Sequence, residues 1–310
     1  MTSIVRLDAR ALDKDELKQH FNAQGCVIVE KFFPQSVLES ACNELEALVD
    51  LKAEQLLEDG HVNETYKDVP FEKRIYRLYA GKNQHAAPKL FRAELHREGL
   101  YPLFFHQPLL DCVEHLLGTC ELRLYPNYTV RPKLPRDARH EVLWHQDAGY
   151  TQSTAWHAPR EVSNDEIEQI ARSMVNVWTP LVPATTENGC MQFVIGSHKL
   201  GIQRHVDKGD KNYLEIDDAA LESALAKTAP VNVELKPGDV VLFHQLLFHC
   251  GTANESDHVR WSVDFRYQNA DFPTLRQEPG HMARSAKKPA SAVANARQWA
   301  ELELGGPNPR

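Results

Sequence analysis

After Glu121 the chain breaks into short runs rich in β-branched and aromatic residues, at 122–130, 142–145, 174–180, 191–195, 231–235, 240–243 and 259–267, punctuated by Gly, Pro and Asn. Many short strands with such punctuation restrict the fold to an all-β sandwich or barrel. Pro237-Gly238-Asp239 marks a tight turn between two of the runs. Before Glu121 the period is helical. Amphipathic helices over 13–22 and 34–57, the second with Val37, Leu38, Ala41, Leu45, Leu48 and Val49 on one face, flank a short strand at 26–30. A further helix over 103–117 stops at Gly118. The expected architecture is mainly β: a double-stranded β-helix, the cupin-like jelly roll, with flanking amino-terminal α-helices. One domain is expected over 1–280, with a helical part at 1–120 and the jelly-roll core at 121–270. A tail at 281–310 carries a short helix over 290–302.

Composition narrows the partners. A net charge of −8, a pI near 6.0 and no cluster of Lys and Arg speak against a nucleic acid or an anionic membrane. A small molecule is the expected partner, and the chain is expected to work as a monomer or homodimer. No stretch approaches the apolar length of a membrane span and no signal-peptide pattern opens the chain, so a cytoplasmic location is expected. The 6 cysteines show no CxxC pairing, which argues against a disulfide framework or a zinc ribbon. Reduced thiols suit a compartment where ferrous iron persists.

Trp144-His145-Gln146-Asp147 follows a strand-like run, and on extended backbone positions i and i+2 project to one side. His145 and Asp147 can then reach one point. The best third ligand is His249 in Phe248-His249-Cys250-Gly251, since two histidines and a carboxylate form the facial triad that binds Fe(II) with open positions. HxD alone is a weak signal among 15 histidines, and a hydrogen-bonded surface histidine is the plain alternative. Downstream, Val259-Arg260-Trp261-Ser262-Val263-Asp264-Phe265 alternates, with Arg260 and Ser262 on one face. Pointing inward, that face offers a guanidinium fork for a carboxylate; pointing outward, it is an ordinary solvated face. Periodicity does not choose between them.

The motifs Trp144-His145-Gln146-Asp147-Ala148-Gly149-Tyr150, Asn188-Gly189-Cys190, Gly196-Ser197-His198-Lys199, Pro237-Gly238-Asp239 and His249 through Asn254 to Arg260 resemble the phytanoyl-CoA dioxygenase family of Fe(II)/2-oxoglutarate oxygenases over roughly residues 15 to 270. The resemblance implies that His145, Asp147 and His249 hold Fe(II). It implies that Arg260 meets the distal carboxylate of 2-oxoglutarate, with Ser262 as a second donor. Trp178 falls where the family lines the cosubstrate site, and Asn127 on the strand supplying another contact. The family often has Ser two residues after the distal histidine; Gly251 stands there, so that hydrogen bond is absent or comes from Thr252. Gln146 points away from the iron and borders the substrate. The implied activity is a 2-oxoglutarate-dependent non-haem iron dioxygenase that consumes O2, releases succinate and CO2 and hydroxylates a C–H bond of a small metabolite. Because Asp147 is present, halogenation is disfavoured; desaturation and cyclisation remain open.

Asn188-Gly189 reads as a tight turn, Gly196-Ser197-His198 as a strand exit, and His244, Trp144 and Trp261 as packed residues, with Cys250 facing away from the iron. Segments 151–172 and 200–229, long and polar, are expected to be lids and recognition loops. Arg136, Arg139, Arg160 and Arg204 lie in or near them, as anion contacts or as solvated surface charge. The alternative to the oxygenase is a cupin-type Zn(II) or Mn(II) hydrolase or isomerase on the same triad. A catalytically silent sandwich is a third possibility.

Overall fold

The structure is a computed structural model that describes residues 3–80, 90–137, 141–155, 162–207 and 214–302. The first strand, β1 (Arg6–Asp8), leads into α1 (Lys14–Gln24), β2 (Cys26–Glu30) and α2 (Gln35–Glu58). Asp13 starts α1 by accepting from the amides of Asp15 and Glu16, and Gly25 ends it in the left-handed region. A Cβ on Gly25 would stand 2.4 Å from the His198 ring, so steric room as well as φ demands glycine. Then come α3 (Phe71–Leu78), β3 (Leu90–Phe91), α4 (Tyr101–Phe104) and α5 (Gln107–Leu117). The single helix predicted over 103–117 is two, because Pro108 belongs in a first turn and starts a new helix after a break at Phe105.

The β part follows as β4 (Leu122–Leu124), β5 (Thr129–Lys133) and β6 (Val142–His145), then α6 (Asp147–Ala155), α7 (Asn164–Arg172), β7 (Met174–Pro180) and β8 (Met191–Phe193). After β9 (His205–Asp207), β10 (Leu214–Ile216) and α8 (Asp218–Leu225) come β11 (Val231–Val233), β12 (Val240–His244), β13 (His249–Gly251) and β14 (Arg260–Asn269). The chain closes with β15 (His281–Arg284) and α9 (Ala296–Glu301). The expected strand at 122–130 is also two. The long β14 pairs with β5 along Arg260–Asp264 and with β4 along Tyr267–Asn269, so one edge is shared by two strands.

Two sheets face each other, one ordered β1-β2-β12-β7-β14-β4-β15 with β5 added beside β14 and β3 beside β5, the other β11-β8-β13-β6. Ile28, Trp178, Val241 and Phe243 of the first meet Met191, Phe193 and Val233 of the second, which is the jelly-roll interior. The outer face of the large sheet is covered by the helices. Trp261, Val263, Phe265 and Tyr267 of β14 join that second layer with residues of α1, α2, α4 and α5. Phe71 stacks on Trp261 at 4.7 Å and Phe104 meets Phe265 edge-on at 5.1 Å. Phe104 and Phe265 are fully buried, and each such phenylalanine contributes about 1.5–3 kcal/mol. The helices therefore hold β14 from behind, and its other face is left to the roll.

The segment expected as a tail contributes β15, paired to β4, and α9, whose Trp299 is buried against Phe104, Phe105 and Tyr128. Residues 303–310 lie outside the described part. No helix among the described residues is long and apolar enough to cross a membrane.

Candidate metal centre and active site

His145 and His249 are direct partners across the antiparallel β6–β13 pair, so their side chains leave the same face of the smaller sheet. Their rings lie 4.0 Å apart. Asp147 reaches them differently from the expected extended i, i+2 arrangement. His145 ends its strand and Asp147 opens α6, so a strand-to-helix turn brings the carboxylate back. One ligand atom from each of the three lies within 4.8 Å of the others, and all three residues are buried. Among the described residues this is the only group of its kind.

Each imidazole is aimed by a carbonyl two residues earlier. His145 Nδ1 lies 2.8 Å from the Leu143 carbonyl and His249 Nδ1 lies 2.9 Å from that of Leu247. A carbonyl only accepts, so Nδ1 carries the proton and Nε2 offers its lone pair to the centre. Burial pushes the His249 imidazole down to about 3, which keeps it neutral and ready to ligate. Burial opposes ionisation of Asp147, but the Arg266 guanidinium outweighs it and holds the carboxyl well below the usual range. Arg266 Nη2 stands 2.8 Å from Asp147 Oδ2, and Asp147 Oδ1 lies 3.6 Å from His145 Nε2. Two imidazoles and one carboxylate converging in a buried site fit a divalent transition metal.

On β14 alternation points Arg260, Ser262, Asp264, Arg266 and Gln268 into the roll. Arg260 is buried with its guanidinium 5.2 Å over the Trp178 ring, and it donates to Ser262 Oγ at 3.2 Å. Three of the expected cosubstrate residues are thus together: Arg260, Ser262 and Trp178. Asn127 lies in the β4–β5 connection instead of on a strand, and its carbonyl accepts from Arg266 at 2.9 Å. The Thr252 hydroxyl donates to the Cys190 carbonyl at 2.9 Å, so it serves the loop. Gln146 has its side chain engaged by the chain itself. Its amide is fully buried, donating to the carbonyls of Gly201 and Leu246 and accepting from the Gln203 amide.

Several contributors are absent from the sequence reading. Arg266 lies in the same alternating run as Arg260, and continuing the count would reach it. Asn176 Oδ1 accepts from Arg266 Nε at 3.2 Å and from Gln245 Nε2 at 2.5 Å, backing the guanidinium. His205 accepts the Gln146 amide on Nε2 and packs where a Cβ on Gly149 would be, 2.6 Å away. Burial, and next the neighbouring His145, push His205 down to about 4. Lys133 is also buried, opposite Arg260 across the β5–β14 pair. Nothing local in the sequence distinguishes it from a surface lysine.

The expected loops are partly helical. Segment 151–172 contains the end of α6 and all of α7, started by Ser163 accepting from the Glu166 amide and buried through Ile167, Ile170 and Ala171. That capping pair and the apolar spacing were a readable signal. Segment 200–229 carries β9, β10 and α8. Arg136 and Arg204 are exposed, while Arg139 and Arg160 lie outside the described residues. Asn188 closes its turn by accepting from the Thr185 amide and donating to Pro183, and His244 packs between Phe21 and His198.

A family model described as phytanoyl-CoA dioxygenase matches residues 21–262. A probable phytanoyl-CoA dioxygenase of Caenorhabditis elegans is 26% identical over 169 residues, 53% of this chain and 49% of that protein. Phytanoyl-CoA dioxygenase domain-containing protein 1 of Mus musculus is 33% identical over 197 residues, 62% of this chain and 56% of its own. The chain thus spans about half the length of these two relatives. Among solved structures, EctD from S. alaskensis with 2-oxoglutarate and 5-hydroxyectoine superposes with a TM-score of 0.54 at 19% identity, covering 85% of this chain and 78% of that one. The epimerase SnoN in complex with Fe3+, alpha ketoglutarate and nogalamycin RO gives 0.52 at 23%, covering 83% and 84%. These likenesses show the shared jelly-roll fold.

Proposed function

This chain belongs to the phytanoyl-CoA dioxygenase family, and on that premise we propose that it is an Fe(II)- and 2-oxoglutarate-dependent dioxygenase hydroxylating a C–H bond of a small-molecule metabolite. The carrying observation is the buried convergence of His145, Asp147 and His249, with both imidazoles turned so that Nε2 faces the centre. Ferrous iron and 2-oxoglutarate, when bound, supply an oxidant from O2, with one oxygen atom leaving in succinate, the other entering the substrate as hydroxyl, and CO2 released.

The residues of the chain do the rest. Asp147 would give one oxygen to the metal while Arg266 holds the other, so the anionic ligand is fixed in orientation. Arg260, desolvated over Trp178, offers a planar fork to the far carboxylate of the keto acid, and Ser262 orients that fork. Tyr150 places its ring edge-on to His145 at 5.5 Å, at the opening of α6. The presence of Asp147 leaves no vacated ligand position for a halide, which favours oxygen transfer. The same oxidant can desaturate or cyclise, so the identity of the product decides the outcome.

The test is incubation of Fe(II)-loaded protein with 2-oxoglutarate and a metabolite pool, following succinate and any species that gains one oxygen atom by mass spectrometry. Succinate with an oxygenated product is expected. A protein that purifies with Zn(II), gives no succinate after iron loading and hydrolyses or isomerises a substrate would replace this reading with the metallohydrolase.

A further inference from the structure

Lys133 stands at the end of β5 with its side chain buried, and its Nζ finds no hydrogen-bond partner among the described residues. Room has been left for it. A Cβ on Gly189 would stand 2.8 Å from Lys133 Cε, and a Cβ on Gly251 would stand 3.3 Å from Nζ. Lys133 faces Arg260 directly in the β5–β14 register, and the Nε of Arg260 is also without a partner. Two cations therefore share one desolvated corner, and among the described residues no carboxylate is hydrogen-bonded to either, Glu141 and Asp264 acting on them only through space. Burial, and next the charge of Arg260, push the Lys133 ammonium down to about 7, against the opposing pull of Glu141.

Holding two like charges in a dry pocket is unfavourable unless something anionic enters. A purely structural lysine would reach water or a carboxylate, since its stem is long enough to do either. We propose that Lys133 is a second cationic anchor for the distal carboxylate of the keto-acid cosubstrate, working beside Arg260 and selecting dicarboxylates over monocarboxylates. This rests on the 2-oxoglutarate reading above. The geometry divides the work: Arg260 presents a fork from one strand, and Lys133 brings a point charge from its neighbour over the gap left by Gly251.

The experiment measures anaerobic binding of 2-oxoglutarate, and of the monocarboxylate 2-oxobutyrate, to metal-loaded wild type, Lys133→Met and Lys133→Gln by calorimetry. Melting of the ligand-free, metal-free proteins is recorded alongside. Wild type is expected to prefer 2-oxoglutarate strongly. Both variants are expected to lose tenfold or more in 2-oxoglutarate affinity, with 2-oxobutyrate and metal binding little changed, so the preference narrows. Ligand-free Lys133→Met is expected to melt no lower than wild type, because an unpaired buried charge has gone. A structural lysine would instead lower the melting temperature and leave the preference intact. Variants binding 2-oxoglutarate within twofold of wild type would overturn the anchor while leaving the oxygenase standing. Failure of wild type itself to bind 2-oxoglutarate would overturn the oxygenase reading first. Should Lys133→Met not fold, Lys133→Gln, which keeps a polar side chain of similar reach, decides alone.

Discussion

Arg266 donates from Nη2 to Oδ2 of Asp147 across 2.8 Å, and both side chains are buried. The carboxylate is therefore presented to the centre through one oxygen, and its charge is balanced before any metal arrives.

Removing that guanidinium leaves a buried anion alone, which costs about 3–5 kcal/mol in comparable pairs. Arg266→Met should destabilise the metal-free protein on that scale, and added divalent metal should restore part of the loss because a cation again faces Asp147. Urea unfolding with chelator and with metal measures both. Equal midpoints for wild type and variant in chelator would show that the pair carries no stability.

Asp147→Ala should abolish product formation and weaken Fe(II) binding, since an anionic oxygen ligand is lost from an open triad. His145→Ala and His249→Ala should do the same. Turnover at the wild-type rate under added Fe(II) by any of the three would remove that residue from the ligand set.

Anaerobic addition of Fe(II) and 2-oxoglutarate should produce a weak visible charge-transfer band, because the keto acid must chelate iron through two oxygens. Zn(II) in place of Fe(II) should give none. Absence of the band at saturating iron would count against chelation at this site.

Arg260→Ala should weaken 2-oxoglutarate far more than iron, because it removes one partner of a desolvated charged pair, typically worth on the order of 2–5 kcal/mol or roughly 30-fold to several-thousand-fold. Arg260→Lys should recover only part, since an ammonium lacks the planar fork. Titration of the charge-transfer band measures this. A change within about twofold, roughly 0.4 kcal/mol, would take Arg260 out of the cosubstrate site.

Acid should destabilise the fold before the carboxylates titrate. Burial, with His96 next, pushes His281 down to about 4, and burial, with His198 and Arg172 next, pushes His244 down to about 3. In the unfolded chain both take up protons near 6.5. Their contribution is complete above about pH 6.5 and is lost as the pH falls toward 4, because only the unfolded state binds protons readily in that window. The urea midpoint should fall across that range. His281→Gln, whose amide can hydrogen-bond Tyr128 in either direction, should flatten the slope, and an unchanged slope would assign the acid sensitivity elsewhere.

Period-two alternation put His145 with Asp147, and Arg260 with Ser262, on common faces, but it did not say which way the second face points. The inward direction of that face, and Trp178, came from the family resemblance, while His249 was chosen as the histidine following a β-run. Asp147 was identified through a wrong geometry: the sequence predicts extended backbone, and the chain instead turns into α6 at that residue. Lys133 and His205 were not legible, because what defines them is the removal of Cβ atoms at Gly189, Gly251 and Gly149, residues distant in the chain. The short helix of the tail was legible, but its packing was not, for a similar reason. Its polar composition conceals Trp299, whose burial depends on the helices of the amino-terminal half.

The two-faced character of β14 bears on how this chain can vary. Its inward face carries Arg260, Ser262 and Arg266, and its outward face Trp261, Phe265 and Tyr267. Loss of a single codon between 261 and 265 would exchange the faces of everything beyond it, sending a guanidinium into hydrocarbon and an aromatic ring toward the metal. Point changes can alter this strand one contact at a time, whereas length changes cannot be tolerated there. Insertions and deletions are thereby channelled out of β14 and into connections between elements, where adding a residue shifts no register.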